Sequence, residues 1–181
     1  LKNVSVYYGN KSACSDISLT IEQGDRIAVK GKNGSGKTSI LKLIKGENIE
    51  YTGDIIKNPA LKISYISQSS DFLEGSLDDY ANDLDINTSL FKAILRKLDF
   101  SRDLFEKNMK TYSDGQKKKV LIAGSLCEKA HLYIWDEPLN YIDVISRIQL
   151  EELILNYSPT LIFVEHDKAF TDKIATKFLE F

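Results

Sequence analysis

The sequence predicts an α/β fold in which a mainly parallel β-sheet is flanked by helices. Two observations lead to this prediction. Apolar strand-like segments alternate with helical segments over most of the chain, and a glycine-rich loop joins the apolar strand Arg26–Val29 to the helical segment Lys37–Lys45. Such alternation is typical of parallel sheets whose faces are covered by helices. The 181 residues are enough for one domain of this kind, which we expect to span residues 1–181.

The remaining elements are predicted in chain order. Two β-like segments, Val4–Tyr8 and Ile17–Ile21, predict an antiparallel β part at the N-terminus. Further strands are expected at 61–67, 132–135 and 160–164, and further helices at 114–129, 144–157 and 168–177. Residues 78–110 have a polar, helical pattern with Leu90, Ile94, Leu95 and Leu98 on one face. This interruption of the alternation predicts a small helical subdomain at approximately residues 72–128.

Composition limits the classes of partner. Hydrophobic residues make up 43% of the chain, charged residues 28%, and the formal net charge is −2. This is the balance of a soluble globular protein with no basic surface for nucleic acid or anionic lipid. No apolar run approaches the roughly 20 residues that span a bilayer, so membrane contact would need a partner. Cys14 and Cys127 match no metal-ligand spacing, and we expect buried free thiols in a reducing cytoplasm.

Residues 31–38, GKNGSGKT, form a complete GxxxxGK[ST] loop between a strand and a helix. The glycines allow the backbone to curl so that successive N–H groups point at phosphates. Lys37 adds a cation for the β- and γ-phosphates, the Thr38 hydroxyl can ligate Mg²⁺, and the helix N-terminus contributes its dipole. We therefore predict a nucleotide site with Mg²⁺. Its expected binding residues are Gly31, Asn33, Gly34, Ser35, Gly36, Lys37, Thr38 and Ser39.

A second segment, LYIWDE at 132–137, is an apolar strand that ends in two carboxylates. Ligands bind at the C-terminal edge of parallel sheets, so these carboxylates are expected near the phosphate loop. Asp136 suits the Mg²⁺ shell through water, and Glu137 suits orienting and activating the attacking water. An apolar strand ending in acids is often structural. Its place about 100 residues after the phosphate loop favours the functional interpretation.

Residues 112–116, YSDGQ, open a predicted helix and resemble the LSGGQ signature of ATP-binding cassette (ABC) proteins. Ser113 is a good N-cap, and a helix N-terminus with a nearby glycine can hold a γ-phosphate. Other landmarks of the family are found elsewhere in the chain, in the order that the family has them. Gln68 resembles the Q-loop glutamine, residues 140–143 the D-loop, His166 the switch histidine and Tyr8 the A-loop aromatic residue. The resemblance covers the whole chain and implies a P-loop ATPase that binds ATP with Mg²⁺.

The resemblance also implies catalytic and metal-binding roles. Glu137, His166 and Gln68 are the expected catalytic residues. Mg²⁺ is expected to be held by Thr38, Gln68 and, through water, Asp136. These assignments make the chain an ATP hydrolase.

The remaining assignments concern adenine and a partner. Tyr8 is expected to stack on adenine, although a one-residue slip would put the adjacent Tyr7 there instead. Two cassettes of this family enclose ATP between them. Ser113, Gly115, Gln116 and Asp143 are therefore expected to bind nucleotide together with a second cassette, and full activity is expected only in its presence.

Residues 137–143, EPLNYID, resemble the EPTNHLD stretch of ABC-F proteins, which are twin-cassette ATPases that act on ribosomes. Together with SDGQKKK at 113–119, this stretch is closer still to the C-terminal cassette of the antibiotic-resistance branch. That branch protects ribosomes from macrolides, lincosamides, streptogramins and pleuromutilins. Asp114, Leu139 and Tyr141 depart from the broad ABC-F pattern, as the resistance branch would predict.

The ABC-F resemblance implies a cytoplasmic chain that is a fragment of a longer two-cassette protein. Its parent protein would contact the ribosome and its rRNA, with no direct membrane insertion.

Several alternatives remain open. The ATPase subunit or domain of a membrane ABC transporter would share every catalytic residue, although residues 68–113 contain no coupling motif. A chromosome-maintenance ATPase would insert a long coiled coil there, and the chain has no such heptads. A non-enzymatic nucleotide-binding module conflicts with Glu137 and His166. The lysine run at 117–119 is interpreted as a solvated helix face, with contact to RNA or another cassette as its alternative.

Overall fold

A computed structural model of the protein describes residues 1–9 and 11–181. The chain forms two compact units. The first contains residues 1–65, 130–136 and 158–181, and the second contains residues 66–129 and 137–157. The first unit carries the sheets, and the second is mainly helical. The predicted α/β class, with its parallel sheet and its antiparallel N-terminal part, is confirmed.

The antiparallel sheet has three strands, β1 (Lys2–Tyr8), β2 (Lys11–Ile17) and β4 (Glu50–Asp54), in the order β2-β1-β4. The second strand was predicted at 17–21, which is wrong, because the strand ends at Ile17. Leu19 and Ile21 suggested a strand, but they pack against the core from an irregular segment. β4 was missed because all five of its residues are exposed and carry no apolar pattern.

The parallel sheet has the order β5-β6-β7-β3-β8. Its strands are β3 (Arg26–Lys30), β5 (Ile63–Ile66), β6 (Leu132–Asp136), β7 (Leu161–Val164) and β8 (Lys177–Glu180). All four residues of β7 are buried, as expected for a central strand covered on both faces. The last helix, α6 (Lys168–Ile174), is shorter than predicted. The chain leaves it because the Thr176 N–H donates to the Arg26 carbonyl and starts the pairing of β8 with β3.

The core of the first unit lies between these strands and α1 (Lys37–Lys45), which packs against β6 and β2. Trp135, Phe163 and Phe170 are fully buried. The rings of Phe163 and Phe170 meet edge to face, with centroids 5.7 Å apart. Both cysteines are free, but Cys127 is only half-buried, so the expectation of two buried thiols holds for Cys14 alone.

The second unit contains α2 (Leu77–Asp83), α3 (Thr88–Lys97), α4 (Asp114–Cys127) and α5 (Val144–Tyr157). The predicted helical stretch at 78–110 is broken into α2, α3 and two short 3₁₀ turns at 102–104 and 109–111. Phe91, Leu95 and Leu98 are buried, whereas Leu90 is 49% exposed. Leu95 and Leu98 therefore lie on the buried face as predicted and Ile94 is half-buried, whereas Phe91, whose ring packs against Tyr80, takes the place expected for Leu90.

Candidate active site

The phosphate loop lies between the end of β3 and the start of α1 in the first unit. Gly36 is the N-cap of α1 and has a φ of 92°, a left-handed conformation that residues with a Cβ rarely adopt. A Cβ at this position would lie 2.5 Å from the Ala13 carbonyl oxygen of β2. Glycine is therefore required here by both the backbone conformation and the neighbouring strand.

Lys37 begins α1 with a side chain that folds back into the loop. Its ammonium donates hydrogen bonds of 2.9 Å to the carbonyls of Gly31 and Lys32, and the residue is only 8% exposed. An ammonium has three N–H donors. Two of them anchor Lys37 to the loop, which leaves one donor and the positive charge for a phosphate oxygen.

A cleft of about 280 Å³ lies directly beside this lysine. Its lining residues within the first unit are Val29, Lys30, Gly31, Lys37, Glu165, His166, Lys168 and Thr171. The predicted residues Gly31, Lys37 and His166 therefore line one cavity, and His166 is itself exposed. The volume of the cleft and the lysines that line it suit an anionic ligand.

Glu165 is a cleft residue that the sequence did not single out. One of its carboxylate oxygens, Oε1, accepts hydrogen bonds from the backbone N–H groups of His166, at 2.8 Å, and Asp167, at 3.5 Å. The available signal was its place beside His166 at the end of an apolar strand. The cleft thus holds a fixed negative charge as well as its lysines.

Asp136 ends β6 and is completely buried. Burial, followed by the negative charges of Asp136 and Glu47, raises the pKa of Tyr65 to about 12. Thr38 lies in the first turn of α1, the helix that packs against β6. A hydroxyl and a carboxylate are oxygen ligands of the kind Mg²⁺ takes, often through water and together with substrate phosphates. The two residues therefore fit a Mg²⁺ ion.

The other predicted active-site carboxylate belongs to the second unit. Glu137 is half-buried and has a φ of 52°. Its Oε2 accepts a 2.7 Å hydrogen bond from the side-chain amide of Asn140. Gln68, in the same unit, is exposed in the bend that follows β5.

The predicted signature segment caps α4. The Ser113 hydroxyl accepts a hydrogen bond from the Gln116 N–H, and the Gln116 side chain accepts one from the Ser113 N–H, which together form a capping box. Ser113 is exposed, whereas Gly115 and Gln116 are half-buried. A Cβ on Gly115 would lie 2.4 Å from the Tyr141 carbonyl, so the signature packs directly on the segment 140–143.

The lysine run at 117–119 is not a solvated face, so that interpretation is wrong for two of its three members. Lys118 is 2% exposed and donates to the Ser67 carbonyl at 2.9 Å. Lys119 is 8% exposed and pairs with Asp143 at 2.7 Å. Both lysines bury their aliphatic chains in the helical unit, and their ammonium groups contact oxygen atoms there.

Asp143 links Lys119 to the start of α5. Its carboxylate accepts hydrogen bonds from the Ser146 N–H at 2.9 Å and from the Ser146 hydroxyl at 2.8 Å. Burial opposes ionisation of Asp143, but the hydrogen bonds from Lys119 and Ser146 outweigh it and hold its pKa well below the usual range. Asp143 is therefore an ionised N-cap that joins α4 to α5.

Tyr8, the last residue of β1, is 53% exposed, whereas Tyr7 is half-buried. The first unit thus contains Tyr8, residues 31–39, Asp136 and His166, and the second contains Gln68, residues 113–116, Glu137 and Asp143.

A family model described as ABC transporter matches residues 14–140, which is more than half of the chain. The match includes the phosphate loop, the signature and both strand-end carboxylates. The chain belongs to the ABC transporter family. The resemblance of the sequence to ABC cassettes, which predicted a P-loop ATPase fold, is confirmed.

Three relatives are similar to the chain over nearly its whole length. The chain is 33% identical to ATP-binding protein Uup of Buchnera aphidicola, over 98% of this chain and 31% of the relative. It is 32% identical to ribosome protection protein VmlR of Bacillus subtilis, over 96% of this chain and 32% of the relative. It is 27% identical to ABC transporter F family member 2 of Arabidopsis thaliana, over 99% of this chain and 27% of the relative. The chain is an ABC cassette that is similar to these three proteins, and it spans about a third of their length.

Among solved structures, the archaeal ribosome recycling factor aABCE1, in complex with the archaeal ribosomal stalk protein aP1, has the same fold. The TM-score is 0.78 at 26% identity, over 98% of this chain and 35% of that chain. Across the described residues, no helix combines the length and the apolar character needed to cross a membrane.

Proposed function

We propose that this chain is one of the two ATP-hydrolysing cassettes of a cytoplasmic ABC-F protein that acts on the ribosome and confers antibiotic resistance by protecting it. The observation that carries the ATPase part is Lys37, anchored by two carbonyls beside a cleft that His166 also lines. The ribosomal part is supported by the resemblance at residues 137–143 and by the relative VmlR, a ribosome protection protein.

In this proposal the first unit binds the nucleotide. The loop at 31–38 and the remaining N–H of Lys37 hold the phosphates, and exposed Tyr8 stacks on adenine. Thr38 and Asp136 would hold Mg²⁺, which when bound neutralises charge on the phosphate oxygens. His166 contacts the γ-phosphate from the wall of the cleft. These contacts stabilise negative charge that develops during phosphoryl transfer.

The second unit supplies the water-activating carboxylate and the contacts to a partner cassette. Glu137 orients the attacking water and accepts its proton, and Gln68 assists with the metal ion. Ser113, Gly115 and Gln116 cover the γ-phosphate bound by the second cassette, which in turn covers the one bound here. A lone cassette therefore lacks part of the transition-state stabilisation and hydrolyses ATP slowly.

Co-sedimentation of the intact protein with ribosomes tests the proposed target. Glu137→Gln keeps the shape of the side chain but removes the base, so ATP should stay bound and the protein should pellet with ribosomes. Pelleting should weaken as salt rises, because contacts to RNA phosphates release counterions. Lys37→Ala is the matched control, which should not pellet with ATP. Co-purification with a membrane protein, without ribosome pelleting at low salt, would favour the transporter alternative.

A growth assay tests the resistance role. Expression of the intact wild-type protein in a susceptible bacterium should raise the inhibitory concentration of at least one ribosome-binding drug of the four classes named above. Lys37→Ala should lose this effect. Unchanged inhibitory concentrations for all four classes, with ribosome pelleting intact, would separate ribosome binding from resistance and reject the latter.

A further inference from the structure

Buried Lys118 connects helix α4 to the bend that carries Gln68. The lysine is 2% exposed, and its ammonium donates a 2.9 Å hydrogen bond to the Ser67 carbonyl, which lies 51 residues earlier in the chain. Burial of a charged group is costly unless polar partners compensate for it. A hydrogen bond from an ionised donor is also stronger than one between neutral groups. The Ser67 carbonyl is therefore held firmly against α4.

The contact restricts the backbone at Gln68. The Ser67 carbonyl belongs to the peptide group that joins Ser67 to Gln68, and this group is planar, so a fixed carbonyl also fixes the Gln68 nitrogen. On the other side of the bend, the Ser67 hydroxyl donates to the Ser69 carbonyl at 2.7 Å. Gln68 itself is exposed. It therefore combines a restricted backbone with a side chain that is open to a ligand.

Helix α4 is a rigid support for this contact. The capping box of Ser113 and Gln116 closes its first turn, and residues 120–125 are all buried. Lys118 comes two residues after Gln116, so it lies between the capped end and the buried part of the helix. One helix thus carries both the predicted signature segment and the anchor of the Gln68 bend.

We propose that Lys118 is a positioning residue that holds Gln68 in its working place by anchoring the carbonyl that precedes it. This inference rests on the proposed role of Gln68 at the bound nucleotide and its metal ion. A group that is displaced by about 1 Å from its productive position can lose on the order of 10²-fold in rate. Because Lys118 is buried, it acts through the backbone at Gln68 and not on the nucleotide.

Hydrogen exchange of the intact protein, free of nucleotide and metal, tests the anchor itself. Lys118→Met removes the donor and keeps a side chain of similar length, so the buried site stays filled. The peptide that covers residues 66–73 includes the Leu73 N–H, which donates to the Ser70 carbonyl. This peptide should exchange about tenfold faster in the variant, because a hydrogen bond that opposes local opening is lost.

The matched control is Lys129→Met, at an exposed position just beyond the other end of α4. It removes the same charge from the same unit without touching the bend. Its peptide 66–73 should exchange at the wild-type rate. If Lys118→Met does not fold, Lys118→Gln takes its place with the same expected result, because the glutamine amide ends one bond before the lysine ammonium.

ATP turnover by the intact protein tests the consequence for Gln68. Lys118→Met should lower kcat about ten- to a hundredfold, as loss of a group that orients a metal-site residue does. KM for ATP should change by less than about twofold, because the phosphates are held by residues 31–38. In a Gln68→Ala background the same substitution should have almost no further effect, since two residues that act through one group are not additive.

Three results separate the inference from the proposal on which it rests. Wild-type exchange of residues 66–73 in Lys118→Met would overturn the inference. A loss of kcat that multiplies with the loss from Gln68→Ala would also overturn it, because Lys118 would then act independently of Gln68. Full activity of Gln68→Ala would instead reject the proposed role of Gln68, while the exchange measurement still decides whether Lys118 anchors the bend.

Discussion

Substitution of Gly36 by alanine tests how tightly β2 restricts the phosphate loop. The new Cβ would meet the Ala13 carbonyl oxygen at 2.5 Å and the Cys14 Cβ at 2.9 Å. Both neighbours belong to a paired strand, so neither can move away as a flexible side chain would. The φ of 92° adds backbone strain.

The expected cost combines these two effects. A left-handed conformation costs a residue with a Cβ roughly 1–2 kcal/mol, and overpacking in a filled interior costs about 1–3 kcal/mol. A loss of about 3 kcal/mol in the free energy of unfolding is therefore expected. For a domain of this size it corresponds to a decrease in Tm of about 6–12 °C. MgATP should also lose its stabilising effect, because the N-terminus of α1 is displaced.

Two other glycines with positive φ provide controls. Gly24 has a φ of 84° and Gly34 a φ of 78°, and a Cβ on either would meet no atom within 4 Å. Gly24→Ala and Gly34→Ala should therefore cost only the backbone strain, roughly 1–2 kcal/mol each. Thermal melts with and without MgATP provide the comparison. Equal destabilisation by all three substitutions would refute the close approach of β2 to the loop.

Three further predictions concern charge. Saturating MgATP at 100 times Kd should raise the free energy of unfolding of the wild-type chain by about 2.7 kcal/mol, and Lys37→Ala should abolish this gain in a thermal melt. Glu165→Gln should tighten binding of metal-free ATP about three- to tenfold while MgATP affinity changes little, because the cleft carboxylate repels the more negative ligand. Calorimetry with EDTA or Mg²⁺ would measure both affinities, and equal changes in the two would contradict the prediction. Asp143→Asn keeps the helix cap but loses the pairing with Lys119, so it should be less stable at pH 7 by up to about 1 kcal/mol in urea unfolding. Because the folded-state pKa of Asp143 is lowered, this difference should be present above the unfolded-state value of about 3.9 and disappear as the pH falls through the folded-state value.

The features that the sequence predicts well are those encoded by adjacent residues. The loop at 31–38 and the strand-end pair at 136–137 each combine a short pattern with its neighbouring elements. Both lie where the prediction placed them, at the ends of β3 and β6. The local sequence is enough to predict these two features, because the backbone geometry of the strand, turn and helix fixes where their side chains point.

Features that depend on distant backbone atoms were not predictable. Lys118 is buried because its ammonium reaches the Ser67 carbonyl, 51 residues away in sequence, and Lys119 also donates to the Asp99 carbonyl. Every residue carries a backbone carbonyl, so the sequence does not show which carbonyl will accept a hydrogen bond from a lysine. The lysine run was therefore interpreted as a solvated surface. Glu165 was missed although its partners, the His166 and Asp167 N–H groups, are adjacent in sequence, because backbone N–H groups also carry no residue-type signal. Its position in the cleft depends on hydrogen bonds to the backbone N–H groups that follow it.

The most direct test of the proposed chemistry follows a single turnover of ATP by the intact protein in wild-type and Glu137→Gln form. Bound ATP and product ADP are separated after rapid mixing with Mg²⁺. The variant should retain ATP with near wild-type affinity, while its hydrolysis rate falls by a factor on the order of 10²–10⁴, the contribution of a general base. Hydrolysis by Glu137→Gln at the wild-type rate would contradict the assignment of Glu137 as the residue that activates water.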